Sequence, residues 1–295
     1  LGDKMNSLLN IFNGTDMLIA AHCEDQETIK NNIEKYKQKY KGADDIPVSA
    51  HPSIRSVPAC YASSELAVRL AKIPGARLHI LHVSTAKELQ LFSDEPLANK
   101  NITAEACVAH LLFTLTHYNS LGARIKCNPA VKRKTDREAL RTAVNSGLID
   151  VIATDHAPHL LNEKEGGALK AMSGMPMIQF SLVSMLELVD EGVFSLETVV
   201  QKMCHAPARI YGICQRGYIR EGYQADLVLV RPNSPWKVTT DKILSKCGWS
   251  PLEGHTFNWK VEKTFANGHL IYNGDTVDGT YRGEELRFDY RSSKA

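Results

Sequence analysis

Asp150-Val-Ile-Ala-Thr-Asp155-His156-Ala-Pro-His159 is the stretch on which the fold turns. A strand buried in a parallel sheet reads as a continuous run of Val, Ile, Leu and Ala, and Leu148 to Ala153 fits that pattern. The run stops at an aspartate, and two histidines follow it closely. Polar residues clustered just past such a strand lie where α/β barrels assemble their active sites, at the carboxyl ends of the strands. An aspartate there can bind a metal, act as a base, or do both. The competing reading is a strand end whose Asp caps the next helix, with histidines that merely fill a loop.

Recurrence favours the first reading. Met17-Leu-Ile-Ala-Ala21 is a second short apolar run and ends in His22-Cys23-Glu24-Asp25. Arg77-Leu-His-Ile-Leu81 is a third and ends in His82-Val-Ser-Thr85. Neutral imidazole and carboxylate are the usual ligands of a catalytic zinc, which keeps one position open for water. Three strands that each deliver such a group at the same end make His22, His82 and Asp155 a convergent metal-binding set. A single histidine of this kind is more often a satisfied core residue. His79 is read that way: it sits mid-strand, on the face opposite His82, and is expected to pack between sheet and helix.

Composition sets outer limits. A chain of 295 residues can bury a large core and allows one large domain or two smaller ones. The formal net charge is +2, with no long basic block, so electrostatics makes no case for nucleic acid or a membrane surface. No apolar run has the length of a membrane span and no secretory leader is visible. Seven cysteines without a C-x-x-C pair point to reduced thiols and a cytoplasmic location rather than a disulfide frame. Cys23 and Cys127 lie beside candidate site residues and are read as small buried filler rather than nucleophiles.

Along the chain, strand-like runs alternate with helical patterns. A charged helix is expected over Glu24 to Lys41, and a second one starts from the cap-like Ser63-Ser64. Further strands are expected at Asn101 to Glu105 and Ile149 to Thr154. Alternation of this kind implies a parallel sheet with right-handed crossovers. Four such strands do not close a barrel of eight. The expectation is therefore an α/β fold, the later part of a TIM-type (β/α)8 barrel over residues 1–212, in a chain lacking its amino-terminal part. Beyond Gly212 the texture becomes turn-rich and strand-like, with a turn at Asn267-Gly268, and predicts a small β-sandwich module over 213–295. The Leu160 to Met172 stretch reads as a mobile flap that excludes water on closing, or as a surface insertion without a role.

The order of His22-Cys-Glu-Asp, His82-Val-Ser-Thr, Thr103-Ala-Glu, Asn128-Pro and Ala153-Thr-Asp-His-Ala-Pro-His159 resembles the dihydroorotases, in the cyclic branch of the metal-dependent amidohydrolases. The resemblance continues through His205-Ala-Pro-Ala-Arg209, Glu221-Gly-Tyr-Gln-Ala-Asp226 and Ser250-Pro-Leu-Glu-Gly254, so it covers nearly the whole chain. It implies that His22 and His82 bind the second ion of a zinc pair, and that Asp155 binds the first and shuttles a proton. It further implies that Asn128 and His159 contact substrate while the backbone around Ser173-Gly174 closes over the ring. The family's opening His-x-His-x-Arg motif and its bridging carboxylated Lys or Asp are not in this sequence and are expected before Leu1. Without them the segment alone is expected to be inactive. Val108-Ala109-His110 and Gln179 depart from the family's habit.

The implied activity is the reversible hydrolysis of L-dihydroorotate to N-carbamoyl-L-aspartate, a small-molecule reaction of pyrimidine synthesis. Allantoinase or dihydropyrimidinase activity is the alternative on the same scaffold, and a non-catalytic structural partner is the alternative of another class. A homodimer, and association with aspartate transcarbamoylase, are partners that some members of the family imply.

Overall fold

The computed structural model describes residues 5–289. The sheet expected from the apolar runs is present. Strands β1 (Ile19–Ala21), β2 (Leu78–Ile80), β3 (Ile102–Cys107) and β4 (Val151–Ala153) lie in that order and are all parallel. Ile19 stands opposite Leu78, Leu78 opposite Ile102, and Glu105 opposite Val151. Helices fill the connections, as parallel strands require. The chain is thus an α/β fold of the TIM-barrel type.

Local chemistry explains the helix limits. The helix Gln26–Lys39 starts where the Asp25 carboxylate accepts the Thr28 N–H at 2.8 Å, an N-cap. The helix Val57–Lys72 begins six residues before the serines expected to cap it. Pro58 sits in its first turn, where a missing N–H costs nothing. Ser64 is instead buried mid-helix and donates to the Glu88 carboxylate at 2.7 Å. The helix Lys134–Ser146 ends at Gly147, whose φ of 89° is the left-handed stop that glycine adopts freely. It delivers the chain to β4. At that strand's entrance Asp150 accepts from Lys100 Nζ at 2.8 Å and from the Ala104 N–H at 3.0 Å. Asp150 therefore secures the amino end of β4 and Asp155 follows its carboxyl end.

The chain divides into two compact units, Leu1–Gln179 with Ile243–Pro251, and Phe180–Lys242 with Leu252–Ala295. The first holds the parallel sheet and a core cluster of Ile29, Ile46, Ala50, Ile54, Ala59 and Ala168. The second joins the helices from Ser181 to Tyr211 to two antiparallel sheets. One pairs β5 (Leu227–Arg231), β8 (Lys260–Ala266) and β9 (His269–Tyr272) in the order β5-β8-β9; the other pairs β6 (Trp236–Lys237) with β7 (Thr256–Phe257). Contacts within this unit explain why the helix Ser181–Asp190 groups with the strands. Phe180 stacks on Phe257, Glu187 accepts from His255 at 2.8 Å, and Asp190 accepts from the Trp259 indole at 2.9 Å. The β8–β9 hairpin turns at Asn267-Gly268, as expected, with φ of 52° and 84°. The tail after Tyr281 is exposed as far as Asp289. Residues 290–295, like 1–4, lie outside those described. Among the described residues no helix is long and apolar enough to cross a membrane.

Candidate active site

His22 follows β1 directly, and His82 and Asp155 each stand two residues past their strands. The chain turns sharply at the last two: φ is 38° at His82 and 44° at Asp155, a left-handed conformation few non-glycine residues adopt. Such strain persists only where surrounding structure enforces it, and it concentrates at functional positions. The turn brings His22 Nδ1 and His82 Nε2 to 3.0 Å, with their rings edge to face. His82 is buried and its Nδ1 has no hydrogen-bond partner within the protein. Burial, and then the charge His22 would carry, lower its pKa, partly countered by Asp155 and Glu105. Two imidazole nitrogens brought this close could hold a shared cation, so this pair suits a metal. Among the described residues no group of three His, Cys, Asp or Glu is assembled for one. Asp155 acts on His82 through its field but does not complete such a group.

Each histidine is oriented from behind. His22 Nε2 lies 3.2 Å from the buried Glu24 carboxylate, which also takes Arg55 Nη1. Burial alone would raise the Glu24 carboxyl; the hydrogen bond from His22 and the charges of Arg55 and Lys132 outweigh it and hold the pKa below the ordinary value. Glu105 Oε1 accepts the His82 N–H at 3.2 Å while its Oε2 lies 3.1 Å from His79 Nε2. His79 Nδ1 lies 2.8 Å from Thr103 Oγ1. His79 is buried and held by the polar side chains of β3, because the strand register sets it opposite Thr103. Cys23 and Cys127 are buried and their thiols are pushed up to about 12 by that burial, which keeps them protonated and unreactive.

A cavity of about 360 Å³ opens in the same unit, lined by Asn128, His159 and Ser173 together with His51, Arg55 and Lys126, over a floor of Ile29, Ile33 and Ile54. Asn128 precedes a cis peptide to Pro129, and its Oδ1 is buried without a hydrogen-bond partner in the protein. His159 donates from Nε2 to Ser173 O at 3.1 Å. Beyond Asp155 the chain runs beside Met175, with the Ala157 N–H donating to Met175 O, and this holds His159 and Ser173 side by side. Gly174 donates its N–H to Lys126 O and accepts Lys164 Nζ at 2.8 Å. Its peptide groups are therefore engaged within the fold, and its neighbour Ser173 is the residue of the pair that lines the cavity. Thus six of the seven site residues expected from sequence fall into two groups, His22 with His82, and Asn128 with His159, Ser173 and Gly174, while Asp155 reaches the first group only through its field.

Four residues around the cavity escape sequence reasoning. His51 donates from Nε2 to Cys127 O at 2.9 Å, and burial pushes its pKa down to about 3, so it stays neutral. Arg55 and Lys126 bring positive charge to the wall. Lys164 is almost fully buried. The one sequence signal was a His and an Arg set between Pro47 and Pro58 in a short segment too polar for core.

The Leu160–Met172 stretch is not loose. Asp45 accepts the N–H groups of Gly167, Leu169 and Lys170 at 2.7 to 3.2 Å, and Leu161–Lys164 forms a 3-10 turn. At the two departures from the family's habit, His110 donates to Pro129 O at 2.9 Å, and Gln179 Oε1 accepts the Leu244 N–H at 2.9 Å.

Residues 3–271 match the amidohydrolase family. The chain belongs to that family. Its members are generally metal-dependent hydrolases. The chain is 32% identical to a dihydroorotase of Pyrococcus furiosus over 269 residues, 91% of this chain and 58% of that protein. It is 30% identical to an allantoinase of Bacillus velezensis over 257 residues, 86% of this chain and 55% of that protein. The solved L-hydantoinase (dihydropyrimidinase) of Arthrobacter aurescens is similar at a TM-score of 0.86 and 26% identity, covering 92% of this chain and 61% of that one. The chain thus spans between about half and two thirds of the length of these amidohydrolases.

Proposed function

We propose that the protein carrying this chain is a zinc-dependent dihydroorotase, which opens and closes the cyclic amide of L-dihydroorotate. The observation that carries the reading is the cavity in which Arg55 and Lys126 stand beside Asn128 and His159. A ring that bears a carboxylate needs cationic donors, and charge-assisted bonds to such a group are the strong ones. A buried, unpartnered amide such as Asn128 is costly until a ligand pairs with it. A ring N–H beside a carbonyl would do so. Dihydrouracil lacks the carboxylate that Arg55 and Lys126 would recognise.

His22 and His82 would hold the metal, with Asp155 beside them. A zinc held there would supply a water whose pKa is about 7 and Lewis acidity toward the amide carbonyl. Glu24 fixes the His22 imidazole from behind, while Glu105 holds the backbone of His82 through its N–H. Asp155, held past β4 by a strained turn, takes a proton from the attacking water and returns it to the departing ring nitrogen. Arg55, Lys126, Asn128 and His159 orient the ring, and Leu169 and Met172 keep water from its far side.

Similarity to an allantoinase and a hydantoinase keeps a second reading, the same chemistry on a ring without the carboxylate. Turnover of L-dihydroorotate, allantoin and dihydrouracil by the zinc-loaded protein separates them. Selective hydrolysis of dihydroorotate is expected. Arg55→Met should then raise KM for dihydroorotate by about tenfold or more, the worth of one charged hydrogen bond. Its indirect effect through Glu24 would fall on every substrate alike, so the difference between substrates is the informative quantity. Turnover of a control alone would move the function to the sister reaction. Inactivity on all three, with zinc bound, would overturn the enzymatic reading.

A further inference from the structure

The Lys164 ammonium is almost fully buried, and three backbone carbonyls surround it. It donates to Met172 O at 2.7 Å, Gly174 O at 2.8 Å and Lys126 O at 3.1 Å. An ammonium has three N–H donors, so the set is complete. The three acceptors belong to the two segments that build the cavity wall. Lys126 lies two residues before Asn128, and Met172 and Gly174 flank Ser173. The Lys126 carbonyl also accepts the Gly174 N–H at 2.8 Å, and Lys126 Nζ reaches back to Ala171 O. On its remaining side Lys164 faces the ring of Trp249, with 5.7 Å from Nζ to the centroid. The Trp249 indole in turn donates to His159 O at 2.7 Å. One side chain therefore touches the supports of Asn128, His159, Ser173 and Gly174.

We propose that Lys164 is the positioning residue of the substrate cavity, a three-way clasp that sets the spacing between the Asn128 segment and the Ser173-Gly174 loop. The inference rests on the cavity being the site of the proposed reaction. Lys164 touches no reacting atom and acts only through these backbones. The clasp also depends on pH. Burial, then the nearby Lys126, lower the Lys164 pKa to about 8. Lys126 is lowered to about 8 by burial and by Arg55, partly offset by Asp45. The groups facing Lys164 from the packed elements are Lys126, the neutral Cys127 thiol and the Trp249 ring. On its own turn Glu163 instead receives the Leu160 N–H and stands 3.8 Å from His159 Nδ1. Above pH 8 the ammonium becomes an amine with two donors for three carbonyls, and the spacing is no longer held.

The test is KM and kcat for L-dihydroorotate from about pH 6.5 to about pH 9.5, in the parent protein and in Lys164→Arg, Lys164→Met and Lys126→Arg, singly and combined. The expected result is a KM rising about tenfold in the parent above pH 8, with kcat changed far less, as one charge-assisted bond would give. Because Lys126 lines the cavity and is itself lowered to about 8, Lys164 is read in the Lys126→Arg background. The rise should persist there, Lys164→Arg added to it should remove the rise, and Lys164→Met should show the high KM throughout. A rise that vanishes in Lys126→Arg, or survives the addition of Lys164→Arg, overturns the assignment. The indole N–H resonance of Trp249 supplies a readout without turnover. It should titrate near pH 8 in the parent and not in Lys164→Arg. That titration without turnover of any cyclic amide would overturn the proposed activity and sustain the clasp; absence of the titration would overturn the clasp.

Discussion

Asp155→Asn is expected to lower kcat for L-dihydroorotate by roughly a hundredfold to ten-thousandfold, the range that a positioned general acid-base contributes. The substitution keeps size and shape. It also suits the backbone, because Asn tolerates the φ of 44° at this position as readily as Asp does. Folding should therefore be spared, and the thermal midpoint should stay close to that of the parent. What is removed is a carboxylate able to accept a proton, together with the charge that reaches the buried His82. Turnover should be measured at saturating zinc with bound metal quantified, so that loss of the ion is not mistaken for loss of the base. Activity within tenfold of the parent, with zinc retained, would remove Asp155 from the proton path.

The sheet was legible because its signal is local. Three of the four parallel strands announce themselves as apolar runs, each stopping close to where the chain leaves the sheet. His22 and His82 could be paired for the same reason: two strand ends in neighbouring register must bring their next residues together. The Asn267-Gly268 turn was legible because few other dipeptides tolerate two successive positive φ values. The start of the helix at Val57 was misread because serines look like caps wherever they fall, whereas Ser64 answers a buried Glu88 distant in sequence. Lys164 and His51 were invisible for a deeper reason. Their partners are backbone carbonyls, which every residue carries, so no motif or periodicity marks the contact. The anchoring of the Leu160–Met172 stretch was invisible for a similar reason. A run of glycines and charges looks loose until Asp45, more than a hundred residues earlier, accepts three of its N–H groups.

Gly174→Ala should be severely damaging for so small a substitution. A Cβ at this position would lie 2.3 Å from Ala157 O and 2.9 Å from both Ala157 Cβ and His159 Cδ2. The backbone carries a φ of 151°, a conformation that side chains rarely adopt. Neither neighbour can move freely, since Ala157 is paired with Met175 and His159 is held by Ser173 and Trp249. Strain and overpacking should each cost about 1–3 kcal/mol. Gly42→Ala separates the two effects, because Gly42 has a φ of 88° with nothing within 4 Å of the added methyl. It should cost only about 1–2 kcal/mol, the penalty of the left-handed backbone alone. Denaturant titration of both variants gives the difference. The part of the cost that exceeds Gly42→Ala measures how tightly Ala157 and His159 are packed against the loop. The same displacement of His159 should raise KM by about tenfold or more through loss of a substrate hydrogen bond. A Gly174→Ala protein with parental stability and KM would mean that the Ser173-Gly174 loop yields at no cost, and a wall that yields could not set the spacing on which ring recognition is argued to depend.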